Sequence, residues 1–147
     1  METMATHGSR QVAVTHPDRI DALIEADALE MCGNVEAAAR LRKRSIAGAS
    51  EVDLNCYAYT LLWRNRIDRA ISLLEDNAAA HPDSWNAYDS LAEAHVQNGD
   101  LARALVNYTL AARLAPDGEQ YARIMRHVEE LQTKFAQVAG GLKPAPR

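Results

Sequence analysis

The sequence predicts an all-α protein, and three observations lead to this class. Between residues 18 and 143 the chain contains two prolines, Pro82 and Pro116, so helix breakers are rare over most of its length. Residues that favour helices, alanine above all, fill nearly all of 18–137. Alternating β-branched runs, which are typical of strands, do not occur after Val14.

Composition predicts one folded domain and excludes several classes of protein. The chain has 147 residues, of which 48% are hydrophobic and 24% charged. Its net charge of −4 argues against a nucleic-acid partner. Cys32 and Cys56 show no spacing typical of a disulfide scaffold or a zinc site, so we predict no metal and no cofactor. Because no signal-like or 18-residue apolar run occurs, we predict a cytoplasmic protein with no membrane partner.

The two internal prolines are 34 residues apart, and this spacing predicts a repeat. When segment 85–118 is aligned on 51–84, most of the aligned pairs are small or apolar residues at helical spacing. Each segment contains two such stripes separated by a short polar turn, which predicts two antiparallel helices. Their small residues leave room for close helix packing. These small residues are Ala58, Ala70, Ala92 and Ala104.

The regions on either side of 51–118 fit the same pattern less well. Residues 17–50 are predicted to form a degenerate repeat, because Gly33 precedes Asn65 by 32 residues instead of 34. Residues 119–137 are predicted to form a capping helix, and the alternative for its apolar stripe is a homodimer interface. Residues 1–16 and 138–147 are expected to be flexible tails. The stripe consists of Tyr121, Ile124, Met125, Val128, Leu131, Phe135 and Val138.

Segment 85–118 resembles a tetratricopeptide repeat (TPR), and 51–118 as a whole is similar to two such repeats. The match departs from the family where Tyr88 and Leu54 replace the usual tryptophan, and His95 and Leu61 the usual tyrosine. The resemblance implies a right-handed superhelical stack of helical hairpins, with the first helix of each hairpin lining a concave groove. The matching residues are Leu91, Ala92, Gly99, Asp100, Ala104, Tyr108, Ala111 and Pro116.

The resemblance also implies which residues face the groove. Lysine and arginine are absent from these positions, which disfavours the clamp with which some members of the family grip a C-terminal carboxylate. An extended segment with an apolar anchor and a nearby basic residue fits better, with Tyr59 and Trp63 as its preferred contacts. Core packing explains these two aromatic residues equally well, and Asp89 and Glu93 also fit a solvated helix surface. The groove positions are Asn55, Tyr59, Leu62, Trp63, Asn86, Asp89, Glu93, Val96 and Gln97.

Catalytic motifs are not found, so we predict that the chain is not an enzyme. His95 is expected to pack between helices, and Cys32 and Cys56 are expected to be buried and inert. A basic run is expected to be a solvated helix face, the alternative being contact with an acidic partner or RNA. This run comprises Arg40, Arg42, Lys43 and Arg44.

These observations favour a non-catalytic module that binds an unknown protein or peptide in the groove. Two alternatives stay open. Residues 54–95 are similar to helical repeats appended to bacterial serine hydrolases of the β-lactamase and esterase type, which implies an accessory or regulatory domain. Exposed repeat faces would instead suit a homo-oligomerising scaffold.

Overall fold

The computed structural model describes residues 16–141, with side chains as far as Gln137. This part is built from α-helices and contains no strand, which confirms the predicted all-α hairpin stack. Residues 1–15 and 142–147 of the predicted tails lie outside the described range. The helices are α1 (Pro17–Met31), α2 (Val35–Ile46), α3 (Glu51–Trp63), α4 (Ile67–Ala80), α5 (Trp85–Gln97), α6 (Leu101–Leu114) and α7 (Gly118–Gly141).

The 34-residue period is visible where the first helix of each hairpin begins. The N-cap residues of α1, α3 and α5 are His16, Ser50 and Ser84, each 34 residues after the one before. The Ser50 hydroxyl accepts from the N–H of Asp53, whose carboxylate accepts from the N–H of Ser50, so α3 begins with a capping box. The Ser84 hydroxyl caps α5 by accepting from the N–H of Ala87.

Three equivalent turns join the helices within each hairpin. Gly33, Asn65 and Gly99 each adopt a positive φ, of 84°, 58° and 78°. The next N–H in each turn donates to the carbonyl five residues earlier, which is the bond of a Schellman motif. Asparagine can adopt this conformation, so the absence of glycine at 65 does not disturb the turn. The first hairpin keeps the overall period although its turn comes two residues late. Helix α1, with 15 residues, is two residues longer than α3, and α2, with 12, is two residues shorter than α4.

Small residues allow the helices to pack closely in the second and third hairpins. Ala58, Ala70, Ala92 and Ala104 are all completely buried. Helix α4 packs on α5, and α6 on α7, so that each hairpin is covered by the next helix in the chain. His95 is buried between α5 and α6, and this burial lowers its pKa, so the ring is neutral at pH 7.

The first hairpin is attached differently, because charged groups lie at its junction with α3 and α4. The buried carboxylate of Asp27 accepts from the hydroxyl of Tyr57 at 2.8 Å and from Arg42 at 3.1 Å, and Arg69 lies 3.1 Å away. Burial, together with Asp27, raises the pKa of Tyr57 to about 12. Arg42 and Arg69 also contact Glu30, at 2.7 and 2.9 Å. The predicted solvated basic run is therefore wrong at Arg42.

Two predicted boundaries require correction. His16 was placed in the flexible tail, but its N–H donates to the carboxylate of Asp53 at 2.6 Å and its Nδ1 lies 3.0 Å from the other carboxylate oxygen. These contacts fix the start of α1. At the other end, α7 continues through Gly140 to Gly141, so the predicted boundary at residue 137 is too early.

Helix α7 covers the third hairpin with the apolar stripe predicted for it. Ile124, Val128 and Leu131 are buried in a cluster with Ala104 and Tyr108. Tyr121 and Phe135 of the same stripe stay largely exposed, and the side chain of Val138 lies outside the described range. The middle of the stripe is therefore buried within the chain.

Candidate protein-binding groove

The first helices of successive hairpins and α7 lie side by side, and contacts between residues 34 positions apart show this arrangement. The hydroxyl of Tyr59 on α3 donates to the carboxylate of Glu93 on α5 at 2.6 Å. Arg123 on α7 donates to Asp89 on α5 at 2.7 Å. Helix α7 therefore occupies the place that the first helix of a further repeat would take. The surface formed along α3, α5 and α7 is called the groove below.

A cavity of about 370 Å³ opens on the groove between α3 and α5. Trp63 is 96% exposed, whereas Leu62 beside it is buried. Tyr59 is 40% exposed, so neither aromatic side chain is buried in the core against the first hairpin. A cavity with an exposed tryptophan at its rim can bury an apolar side chain from a ligand. The cavity is lined by Tyr59, Thr60, Leu62, Trp63 and Gln97.

The ring of Tyr59 is held in place by hydrogen bonding across the groove. Its hydroxyl lies 3.4 Å from the Ser90 hydroxyl as well as 2.6 Å from Glu93. Burial raises the pKa of Tyr59, and the negative charge of Glu93 raises it further. The hydroxyl therefore stays protonated and remains a donor to Glu93 at neutral pH.

A second cavity, of about 280 Å³, continues the groove between α5 and α7. Gln97 borders both cavities, so they are adjacent along the groove. The floor contains the rings of Tyr108 and His127, which stack with centroids 5.0 Å apart. Its charged lining residues are two carboxylates and one lysine. The cavity is lined by Glu93, Val96, Gln97, Tyr108, His127, Glu130, Leu131 and Lys134.

Six of the nine predicted groove residues line these two cavities: Tyr59, Leu62, Trp63, Glu93, Val96 and Gln97. The other three make polar contacts between helices. Asn55 is buried and accepts from Asn77 at 2.9 Å, and Asn86 donates to the carboxylate of Glu51 at 3.1 Å. Asp89 is buried and bonded to Arg123. Inward-facing polar residues need partners, and neighbouring helices supply them.

Sequence reasoning missed Arg123, which neutralises one of the two carboxylates assigned to the groove. Its guanidinium lies 5.7 Å from the centre of the Trp85 ring and also donates to Gln120. Burial disfavours its charge, but Asp89 and Glu93 raise the pKa of Arg123 above its ordinary value. The signal was present in the sequence, since Arg123 follows Asp89 by one repeat length.

The two cysteines do not lie where the sequence predicts them. Cys32 and Cys56 are both exposed, so the prediction that they are buried is wrong. Cys32 is the C-cap residue of α1, and Cys56 lies on α3. Within residues 16–141, no group of histidine, cysteine and carboxylate side chains is arranged to hold a metal ion. In the same range, no helix is long and apolar enough to cross a membrane.

Comparison with solved structures shows the fold. The Sgt2 TPR domain of Aspergillus fumigatus matches with a TM-score of 0.61 and 18% identity, over 95% of this chain and 93% of that one. The Yersinia enterocolitica type III secretion chaperone SycD, in complex with a peptide of the translocator YopD, matches with a TM-score of 0.57 and 17% identity, over 84% and 98%. PcrH of Pseudomonas aeruginosa gives 0.57 and 14%, with the same coverage.

Neither a protein-family model nor a curated protein matches the chain. The similarity is therefore one of structure, because the sequence identities to these proteins are only 14 to 18%. This chain has three hairpins with a common turn and small buried residues at the helix contacts, and its structure matches that of the Sgt2 TPR domain. The chain therefore has the tetratricopeptide-repeat fold.

Proposed function

We propose that the chain is a non-catalytic interaction module that binds an extended protein segment in the groove along α3, α5 and α7. The observation that carries this proposal is the exposure of Trp63 at the rim of a cavity of about 370 Å³. Leaving a tryptophan in water beside an apolar hollow costs free energy that a bound apolar side chain would recover. Buried tryptophan and tyrosine contacts dominate the free energy of many interfaces.

The charges along the groove favour a basic residue next to that apolar anchor. The five described residues that line the first cavity are uncharged, and the second cavity adds the carboxylates of Glu93 and Glu130. Lys134 offsets one of these charges, and Arg123 is already paired with Asp89. A ligand lysine or arginine next to the apolar anchor would therefore meet net negative charge, because Glu93 contacts Tyr59 of the first cavity.

The neighbouring structures support a role in binding proteins. SycD is a secretion chaperone that was solved with a bound translocator peptide. The present chain shares the fold of SycD and has its own open groove, and we extend peptide binding to it on these two grounds. The homodimer and the hydrolase-associated domain stay predictions, and the homodimer is the less favoured because Ile124, Val128 and Leu131 are already buried.

Selection from a random peptide display library on the full chain tests the proposal. We expect the enriched peptides to combine an aromatic or large aliphatic residue with a lysine or arginine. Trp63→Ala should weaken these peptides at least tenfold, because it removes the rim of the cavity. Val106→Ala is the matched control, since Val106 is also exposed but lies on α6 outside both cavities. Equal binding by both variants would contradict the groove assignment.

Charge is tested separately with Glu93→Gln and Glu130→Gln, which keep the shape of the side chains. We expect these variants to bind the selected basic peptides more weakly at low salt and to lose part of the salt dependence. Circular dichroism of each variant establishes that the helices are retained. An unchanged affinity at low salt would show that these carboxylates do not attract the basic residue of the ligand.

A further inference from the structure

A third cavity lies where the turn between α3 and α4 faces α1. It measures about 450 Å³ and shares no lining residue with the two cavities of the groove. Its floor is one face of α1, on which Met31 is 75% exposed. The lining residues are Ile24, Asp27, Ala28, Met31, Arg64 and Arg66, and we call this site the turn-edge cavity.

The charges around the turn-edge cavity do not balance. The carboxylates of Asp27 and Glu30 each contact both Arg42 and Arg69, at 2.7 to 3.1 Å. Arg64 reaches Asp27 only at 3.9 Å and is half-exposed. Arg66 is exposed and makes no salt bridge with any residue of the described range. Four arginines thus surround two carboxylates and leave two positive charges in excess, in a protein whose net charge is −4.

Arginine residues in this arrangement suit a carboxylate. A guanidinium presents parallel N–H donors that match the two oxygens of a carboxylate, and the pairing is strongest where water is partly excluded. The floor beside Arg64 and Arg66 is apolar at Ile24, Ala28 and Met31, so an apolar ligand side chain could lie next to the carboxylate. The one acidic residue of the floor, Asp27, is already bonded to Tyr57, Arg42 and Arg69. A nucleic acid fits less well, because two free arginines in an acidic protein give little phosphate contact.

We propose that the turn-edge cavity docks a partner segment that carries an aspartate or glutamate beside an apolar residue. The carboxylate pairs with Arg64 and Arg66, and the apolar side chain packs on Ile24, Ala28 and Met31. The site is opposite in charge to the groove, so one chain can engage two segments of different composition. This inference does not depend on the groove, since the two sites share no residue.

The same peptide library tests this site with a different variant. Wild type should enrich a second class of peptides, in which an acidic residue adjoins a leucine, methionine or aromatic residue. Arg66→Glu should weaken this class at least tenfold and leave the basic, Trp63-dependent class unchanged. Arg66 is chosen because its exposed side chain makes no salt bridge in the described range, so the fold should tolerate the change. Arg113→Glu is the matched control, an exposed arginine on α6.

Several outcomes would overturn the proposal. These are the absence of acidic peptides from the selection, and equal affinity of such peptides for wild type and Arg66→Glu. Binding that appears only after residues 1–15 are removed would assign the cavity to the chain's own N-terminal segment. A dimer that Arg66→Glu dissociates in light scattering would assign it to a second copy. If wild type selects acidic peptides but no basic ones, the groove proposal is contradicted and the proposal for the turn-edge cavity is supported.

Discussion

The first and last junctions of the stack have the same repeat spacing but are held by different forces. Where α1 and α2 meet α3 and α4, Asp27 and Glu30 are bonded to arginines and to Tyr57. Where α7 covers the third hairpin, alanine, leucine, isoleucine and valine side chains cluster around Tyr108. A single ion pair, between Arg123 and Asp89, accompanies this cluster. A repeat period can therefore be preserved while the chemistry of a junction is replaced.

One position in the repeat accounts for much of the difference. Asp27, Leu61 and His95 follow one another at 34-residue intervals, on the first helix of each hairpin. All three are buried, but the carboxylate at 27 requires charged partners where Leu61 needs only apolar contact. Long arginine side chains then separate α2 from the second hairpin, and a cavity of about 180 Å³ remains there. The first hairpin consequently packs less closely on the second hairpin than the second does on the third.

The two kinds of junction should respond differently to solution conditions. Apolar burial stabilises in proportion to the area removed from water and is little affected by moderate salt. A partly buried ion-pair network offsets its own desolvation and is weakened by screening. We therefore expect the first hairpin to open before the rest of the chain when ionic strength is raised.

The largest expected effect comes from the apolar junction. Ile124→Ala removes a completely buried side chain between α6 and α7 and should lower the free energy of unfolding by about 3 to 4 kcal/mol. Urea denaturation followed by circular dichroism measures this change. Arg126→Ala, on the exposed face of the same helix, should cost less than about 0.5 kcal/mol. Similar losses in both variants would show that α7 is not held by its apolar face.

A smaller effect is expected at the charged junction. Asp27→Asn leaves Arg42 and Arg69 with half of their carboxylate partners and should cost about 2 to 3 kcal/mol at low salt. Hydrogen exchange should show faster opening of α1 and α2, with α5 to α7 unaffected. In 1 M salt the difference from wild type should shrink. Uniform exchange along the chain would show that the network stabilises no particular junction.

Much of the fold could be predicted from the sequence because the repeat sets both period and helix contacts. The 34-residue spacing of the prolines places each hairpin, and the buried alanines follow from it. Asn65 keeps the turn of the second hairpin because asparagine tolerates a positive φ. The same spacing runs from Asp89 to Arg123, and their contact gives α7 the place of a further first helix. From the sequence, α7 is predicted only as a cap.

The candidate site was less predictable, because burial of polar groups depends on partners far away in sequence. Asn55 and Asp89 occupy groove positions in the family pattern but turn towards Asn77 and Arg123. Nothing near them in the sequence indicates these partners. The exposure of Cys56 is likewise set by how the helices pack and not by its neighbours in the sequence. Pairwise contacts of this kind become visible only when the helices are packed together.

The smallest effect concerns the start of the first hairpin and depends on pH. Burial raises the pKa of the Asp53 carboxyl, but hydrogen bonds from His16 and Ser50 outweigh it and lower the pKa from 3.8 to about 2. A lowered folded-state pKa stabilises the protein above the unfolded value and loses this contribution as pH falls from about 4 towards 2. The loss should reach about 2 kcal/mol, since one pKa unit corresponds to about 1.4 kcal/mol. Urea midpoints of wild type and Asp53→Asn, compared between pH 5 and pH 2, should converge as the carboxyl is protonated. A constant difference between the two proteins over this range would show that Asp53 does not connect the first hairpin to α3 through its charge.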